Sequence, residues 1–156
     1  MHPNEATIRR FYSAFQQRDS AGMGLCYSED IVFSDPVFPW LEGDAVRKMW
    51  EMLCSRGKDL QISFGKIELL DEEYATCEWE AHYTFSATGR KVVNKVKAHF
   101  RLREGLITEH SDAFDMYSWC RQALGWKGWL LGWSGFLQNR VRRQAFSGLE
   151  KFMHKN

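Results

Sequence analysis

The stretch "FRLREGLITEHSDAFD", residues 100–115, decides how this chain folds. Phe100 and Leu102 alternate with Arg101 and Arg103, the period of a strand with one buried face. "REG" supplies turn chemistry, and the chain runs back through "LITEHSDAFD", so residues 100–115 read as an antiparallel hairpin. The returning strand carries His110 and Asp112, and Asp115 precedes the helical pattern "MYSWCRQAL". Two readings are open at this point. The polar groups form a catalytic cluster aimed into a cavity, or they lie on a solvated sheet edge followed by a helix cap.

Outward from the hairpin, the same period recurs. In "KVKAHFRL", Val96, Ala98, Phe100 and Leu102 oppose Lys97, His99 and Arg101. In "CEWEAHYTF", Trp79, Ala81, Tyr83 and Phe85 oppose Glu78, Glu80, His82 and Thr84, which read as a solvated or interface face. "LQISFGKIELL" is a further strand, and "ATGR" a further turn. Before the strands the period changes. Ile8, Phe11, Tyr12 and Phe15 predict a helix over 4–18, and a short second helix is expected from Ser20 to Tyr27. "DIVFSDPVF" gives a strand broken by Pro36, which lacks an N–H. Val46, Met49, Trp50 and Leu53 predict a third helix over 44–55. The expected fold is therefore α+β: three N-terminal helices wrapping a strongly curved antiparallel sheet of four to six strands.

The totals are those of one globular unit, with 44% hydrophobic and 26% charged residues. Aromatic content of 15%, including seven Trp and eleven Phe, suits a hydrophobic ligand cavity or an adhesive interface. The net charge of +1 hides an asymmetry. Residues 1–120 hold fourteen Lys/Arg against nineteen Asp/Glu, whereas residues 121–156 hold seven against one, Glu150. Cys26, Cys54, Cys77 and Cys120 are widely spaced and form no metal-binding pattern, so reduced thiols and a cytoplasmic location are expected. "MHPNEATIRR" lacks the apolar core of a secretory signal. No stretch reaches the roughly 20 apolar residues of a spanning helix.

The order helix, helix, "FSDPVF", helix, then long strands ending in "EHSDAFD" resembles the SnoaL-like branch of the NTF2-like superfamily. That branch includes ketosteroid isomerases, limonene epoxide hydrolases and polyketide cyclases. The resemblance covers roughly residues 5–122, leaving 1–122 as the expected domain and 123–156 as a Trp/Gly-rich basic helical extension. It implies a cone-shaped sheet around a hydrophobic cavity, a homodimer, and a small hydrophobic molecule as ligand, with no cofactor. Nucleic acid is not expected, because one basic cluster without a recognised module does not make a binding surface.

The resemblance also implies residue roles. Asp35, in "SDPV", falls where ketosteroid isomerases place their proton-shuttling aspartate. Their two oxyanion donors would fall at Phe11 and Ala98, which cannot donate, and losing one such donor costs about two to three orders of magnitude in rate. Tyr12 stands one position away, about 100° round the helix, and is not expected to substitute for that donor. Asp112 matches the water-activating aspartate of the epoxide hydrolases, but their Arg and second Asp would fall at Trp79 and Ala81. It also matches the acid/base aspartate of polyketide cyclases. The candidate catalytic set is thus Asp112 as base, Asp35 as second acid/base and His110 as orienting or relay group. A carboxylate in such a pocket would have its pKa raised by desolvation. Phe11, Tyr12, Phe15, Trp50, Trp79, Tyr83, Ala98 and Phe100 are the expected ligand contacts. Plain structural readings stand beside these: Asp115 as an N-cap, His110 as a hydrogen-bonded core residue, Asp35 as a turn residue. No metal site is expected.

In "LGWKGWLLGWSGFLQNRVRRQAF", Gly125, Gly128, Gly132 and Gly135 trace one stripe of a helix, and Trp126, Trp129, Trp133 and Leu137 a second. Each interior Gly costs a helix about 1 kcal/mol. A stable helix here needs another backbone packed closely on the glycines; otherwise the segment is irregular. The tail then packs on its own barrel or a dimer partner, or else serves as an interfacial membrane anchor.

Overall fold

A computed structural model describes residues 1–155. Helix α1 (Pro3–Gln16) begins with Pro3 in its first turn, while the His2 ring accepts the Asn4 N–H at 3.0 Å. Its face of Ile8, Phe11, Tyr12 and Phe15 is buried, and Ile8, Phe11 and Phe15 each contribute about 1.5–3 kcal/mol by leaving water. Helix α2 (Ser20–Gly24) is shorter than the sequence period suggests, and Tyr27 opens strand β1 (Tyr27–Ser34) instead. Gly22 and Gly24 weaken the helix, and Tyr27 gains buried hydrogen bonds in the strand. Strand β2 (Leu41–Glu42) leads through Gly43, at φ 57°, into α3 (Asp44–Arg56).

The long strands follow: β3 (Gln61–Leu69), β4 (Tyr74–Phe85), β5 (Arg90–Arg103) and β6 (Leu106–Ala113). The six-stranded sheet has the order β2-β1-β6-β5-β4-β3. It is mixed rather than wholly antiparallel, because β1 lies parallel to β6. This is possible because the whole hairpin system separates the two strands in sequence, giving the crossover length a parallel pair needs. One face carries the core with α1 and α3 against it. The other carries exposed pairs such as Lys66–Glu78 at 3.1 Å and Glu80–His82 at 2.8 Å. All four cysteines are buried and unbridged.

The C-terminal segment forms α4 (Met116–Leu124), α5 (Trp126–Leu131) and α6 (Gly135–Lys155). Asp115 caps α4 by accepting the Tyr117 and Ser118 N–H groups at 3.0 and 3.2 Å. Helix α4 sits on the β4–β5 end of the sheet, where Met116, Trp119, Cys120 and Ala123 pack with Val92, Tyr83 and Phe85. Helix α6 returns along α3 and places Leu149 in the main core, with Phe146 edge-on to Phe38 at 5.4 Å. Arg142 Nε donates to the Pro36 carbonyl at 2.7 Å, tying α6 to the loop that follows Asp35. Among the described residues no helix is long and apolar enough to cross a membrane.

Candidate functional site

Strand β6 builds the site through an irregularity. Arg101 pairs with Glu109 and Leu102 with Ile107, so Thr108 is an extra residue in β6. Its hydroxyl donates to the Arg101 carbonyl at 3.2 Å, which pins the bulge. Ile107 faces the core before the bulge, and His110 and Asp112 face it afterwards. Both polar side chains are buried, His110 opposite Phe100 and Asp112 opposite Ala98.

Five side chains connect through hydrogen bonds. Trp50 Nε1 donates to Tyr27 Oη at 2.9 Å, and Tyr27 Oη lies 2.8 Å from His110 Nδ1. His110 Nε2 lies 2.9 Å from Asp112 Oδ1, which also accepts Trp79 Nε1 at 3.3 Å. Indole nitrogens can only donate. One arrangement pairs every hydrogen: Tyr27 donates to Nδ1, and the Nε2–H of His110 donates to Asp112. The chain is thereby directed toward the Asp112 carboxylate. Aromatic rings hold the imidazole in place, with Phe100 at 4.5 Å, Phe33 at 5.1 Å and Phe11 at 5.5 Å between centroids.

Asp35 lies near this chain without joining it. Its Oδ1 accepts the Val37 and Phe38 N–H groups at 2.8 and 2.6 Å, so the residue does form a turn. Burial nevertheless pushes its pKa up to about 7, against the pull of the Phe38 N–H and with help from the negative charge of Asp112. It hydrogen-bonds to neither His110 nor Asp112, and the link to the site is electrostatic. The Tyr12 hydroxyl is a third element. It is wholly buried and has no hydrogen-bond partner. Its pKa is raised well above the usual phenol range, by burial first and then by Asp112. The same causes act in the same order on Tyr27.

Of the expected ligand contacts, Phe11, Phe15, Trp50, Ala98 and Phe100 are buried, and Trp79 and Tyr83 are half-buried. They pack on one another: Phe11 lies 5.1 Å from Tyr12, and Phe15 lies 5.0 Å from Trp50 and 5.4 Å from Trp79. Trp119 of α4 donates to the Tyr83 hydroxyl at 2.7 Å, covering that end of the sheet. Two open hollows, of ≈ 610 Å³ by α6 and ≈ 510 Å³ over β3–β5, are present, and Trp79 lines the second. Neither is lined by His110 or Asp112. The sequence pattern does not reveal Tyr27, because the helical reading runs to it and the strand pattern begins only at Asp30, nor does it reveal the donor role of Trp50. The one available signal was the tyrosine just ahead of the apolar run "IVF". Among the described residues no group of three His, Cys, Asp or Glu side chains converges for a metal.

The chain belongs to the SnoaL-like domain family, whose sequence model matches residues 8–110. Solved structures share the fold. One is an NTF2-like protein of unknown function from Burkholderia pseudomallei, 18% identical, TM-score 0.67, covering 78% of this chain and 98% of that one. Another is an LEH-like epoxide hydrolase from M. tuberculosis, 18% identical, TM-score 0.65, covering 82% and 92%. A third, from Catenulispora acidiphila, has a ketosteroid isomerase-like fold and was solved with trimethylamine. It is 13% identical, with TM-score 0.66 and coverage of 75% and 91%. A comparison with curated proteins finds no match.

Proposed function

We propose that the protein is a cofactor-independent acid/base enzyme acting on a small hydrophobic carbonyl compound, in an isomerase- or cyclase-like reaction. The observation that carries this is the hydrogen-bond chain ending on Asp112, with the unpartnered Tyr12 hydroxyl in the field of the same carboxylate. Asp112 removes a proton α to the carbonyl. The developing enolate oxygen accepts a hydrogen bond from Tyr12, and Asp112 returns the proton to carbon. Where Asp35, with a pKa of about 7, supplies its own proton instead, Asp112 then loses one to solvent and Asp35 regains one from it. Tyr12 thus supplies the donor that Phe11 and Ala98 lack.

The test is exchange of α-hydrogens into D2O, followed by NMR over a panel of small cyclic ketones. Exchange by the full chain that vanishes in Asp112→Asn is the expected result. Exchange undiminished in Asp112→Asn overturns the assignment. A second reading, a non-catalytic ligand carrier or interaction scaffold, draws on the mutual packing of the aromatic side chains around His110. Retention of a small molecule through purification, without exchange on any ketone, would favour it.

A further inference from the structure

Helix α5 is held against α4 by glycine. A Cβ on Gly128 would run into the Cys120 carbonyl, and one on Gly132 would stand 2.9 Å from the Cys120 Cβ and 3.0 Å from the Tyr117 ring. Gly125, at φ 67°, makes the reversal between the two helices. The close approach fixes which side of α5 faces outward. Trp126, Trp129, Leu130 and Trp133 follow the i, i+3, i+4, i+7 spacing of one helical face. Together with Phe136 they are 61–71% exposed. An apolar face of this kind, presented by a tightly packed backbone, is a built surface rather than a frayed terminus.

Its charge is one-sided. From Met116 to Leu149 the sequence has five cations and no acid. Arg121 stacks over the Trp129 ring at 4.9 Å and Lys127 over Trp126 at 5.8 Å, so cations sit among the indoles. Arg140 and Arg143 are exposed on the following turns of α6.

We propose that the α5 face and the start of α6 form a docking surface for anionic lipid bilayers. Indole rings favour the headgroup region, and the surrounding cations are attracted to anionic lipid. A Trp-dominated face on a segment that carries no acid between Met116 and Leu149 matches that chemistry on both counts. The protein lies on the bilayer and does not span it. This inference is independent of the reaction at Asp112.

The experiment is co-sedimentation of the full chain with phosphatidylcholine vesicles, with and without about a third phosphatidylglycerol. Expected is binding to the anionic vesicles that falls roughly tenfold or more when salt is raised. Leu130→Ser with Trp133→Ser in one chain should weaken it by a similar factor while circular dichroism stays unchanged. Lys127→Glu with Arg140→Glu should abolish the preference for anionic lipid. Absence of binding at low salt, or equal binding to neutral vesicles, overturns the proposal. So does a homodimer by light scattering that the Leu130→Ser/Trp133→Ser chain cannot form, because a second copy would then cover the face.

Discussion

The hydroxyl of Tyr27 on β1 lies 2.8 Å from Nδ1 of His110 on β6, although 83 positions separate the two residues. With Trp50 donating to the same hydroxyl, this contact assigns the lone pair to Nδ1 and the ring hydrogen to Nε2, beside Asp112. Tyr27→Phe leaves two buried nitrogens without partners and should cost about 1–3 kcal/mol. Urea denaturation measures the loss, and ring 15N shifts report whether His110 changes tautomer. A variant as stable as the parent would remove the basis for this assignment.

Tyr12→Phe should behave in the opposite way. The hydroxyl is buried and unpaired, so its removal relieves a desolvation cost and stability should hold or rise by about 1 kcal/mol. Activity on the true substrate should fall about 10²–10³-fold if Tyr12 serves the enolate oxygen. Equal activity in parent and variant would return Tyr12 to a purely packing role.

Asp35 predicts a pH dependence. Its folded value of about 7 stands above the ordinary carboxylate value, chiefly through burial. A raised folded pKa gives stability that is complete below the unfolded pKa of ~3.9 and lost as pH rises through the folded value. Asp35→Asn keeps an oxygen for the Val37 and Phe38 N–H groups but cannot ionise. The variant should therefore gain on the parent between pH ~4 and ~7, by at most about 1.4 kcal/mol per pH unit, then level off. Parallel stability curves across that range would contradict the burial of the carboxyl.

Gly128→Ala tests the backbone contact beneath α5. The added methyl meets the Cys120 carbonyl, so α5 must move, at a cost of about 1–3 kcal/mol. Limited proteolysis should then cut near Trp126–Leu131 in the variant before it cuts the parent. Resistance equal to the parent would mean that α5 tolerates displacement from α4.

The sequence by itself determined the local elements and the side of each that is buried. The apolar spacing of Ile8, Phe11, Tyr12 and Phe15 can only be buried by a helix, and the alternation of Val96, Ala98, Phe100 and Leu102 only by a strand. Asp115 could be read as a cap, and Gly128 and Gly132 as packing glycines, because both are short-range effects of backbone geometry, whereas Gly125 breaks the expected stripe by reversing the chain at φ 67°. The mixed character of the sheet was not legible, since a parallel β1–β6 pair depends on where a distant strand returns.

The sequence named Asp35, His110 and Asp112 as candidates, but only tertiary structure decided which side chains meet them. The bulge at Thr108 sets which face His110 and Asp112 share with Ile107, and period-two reasoning cannot see an extra residue in one strand. Tyr27 enters the hydrogen-bond chain only through the β1–β6 pairing, and Tyr12 stands near Asp112 only because α1 lies across the sheet. A polar group in a packed interior owes its role to which neighbours share its space, and those neighbours come from every part of the chain.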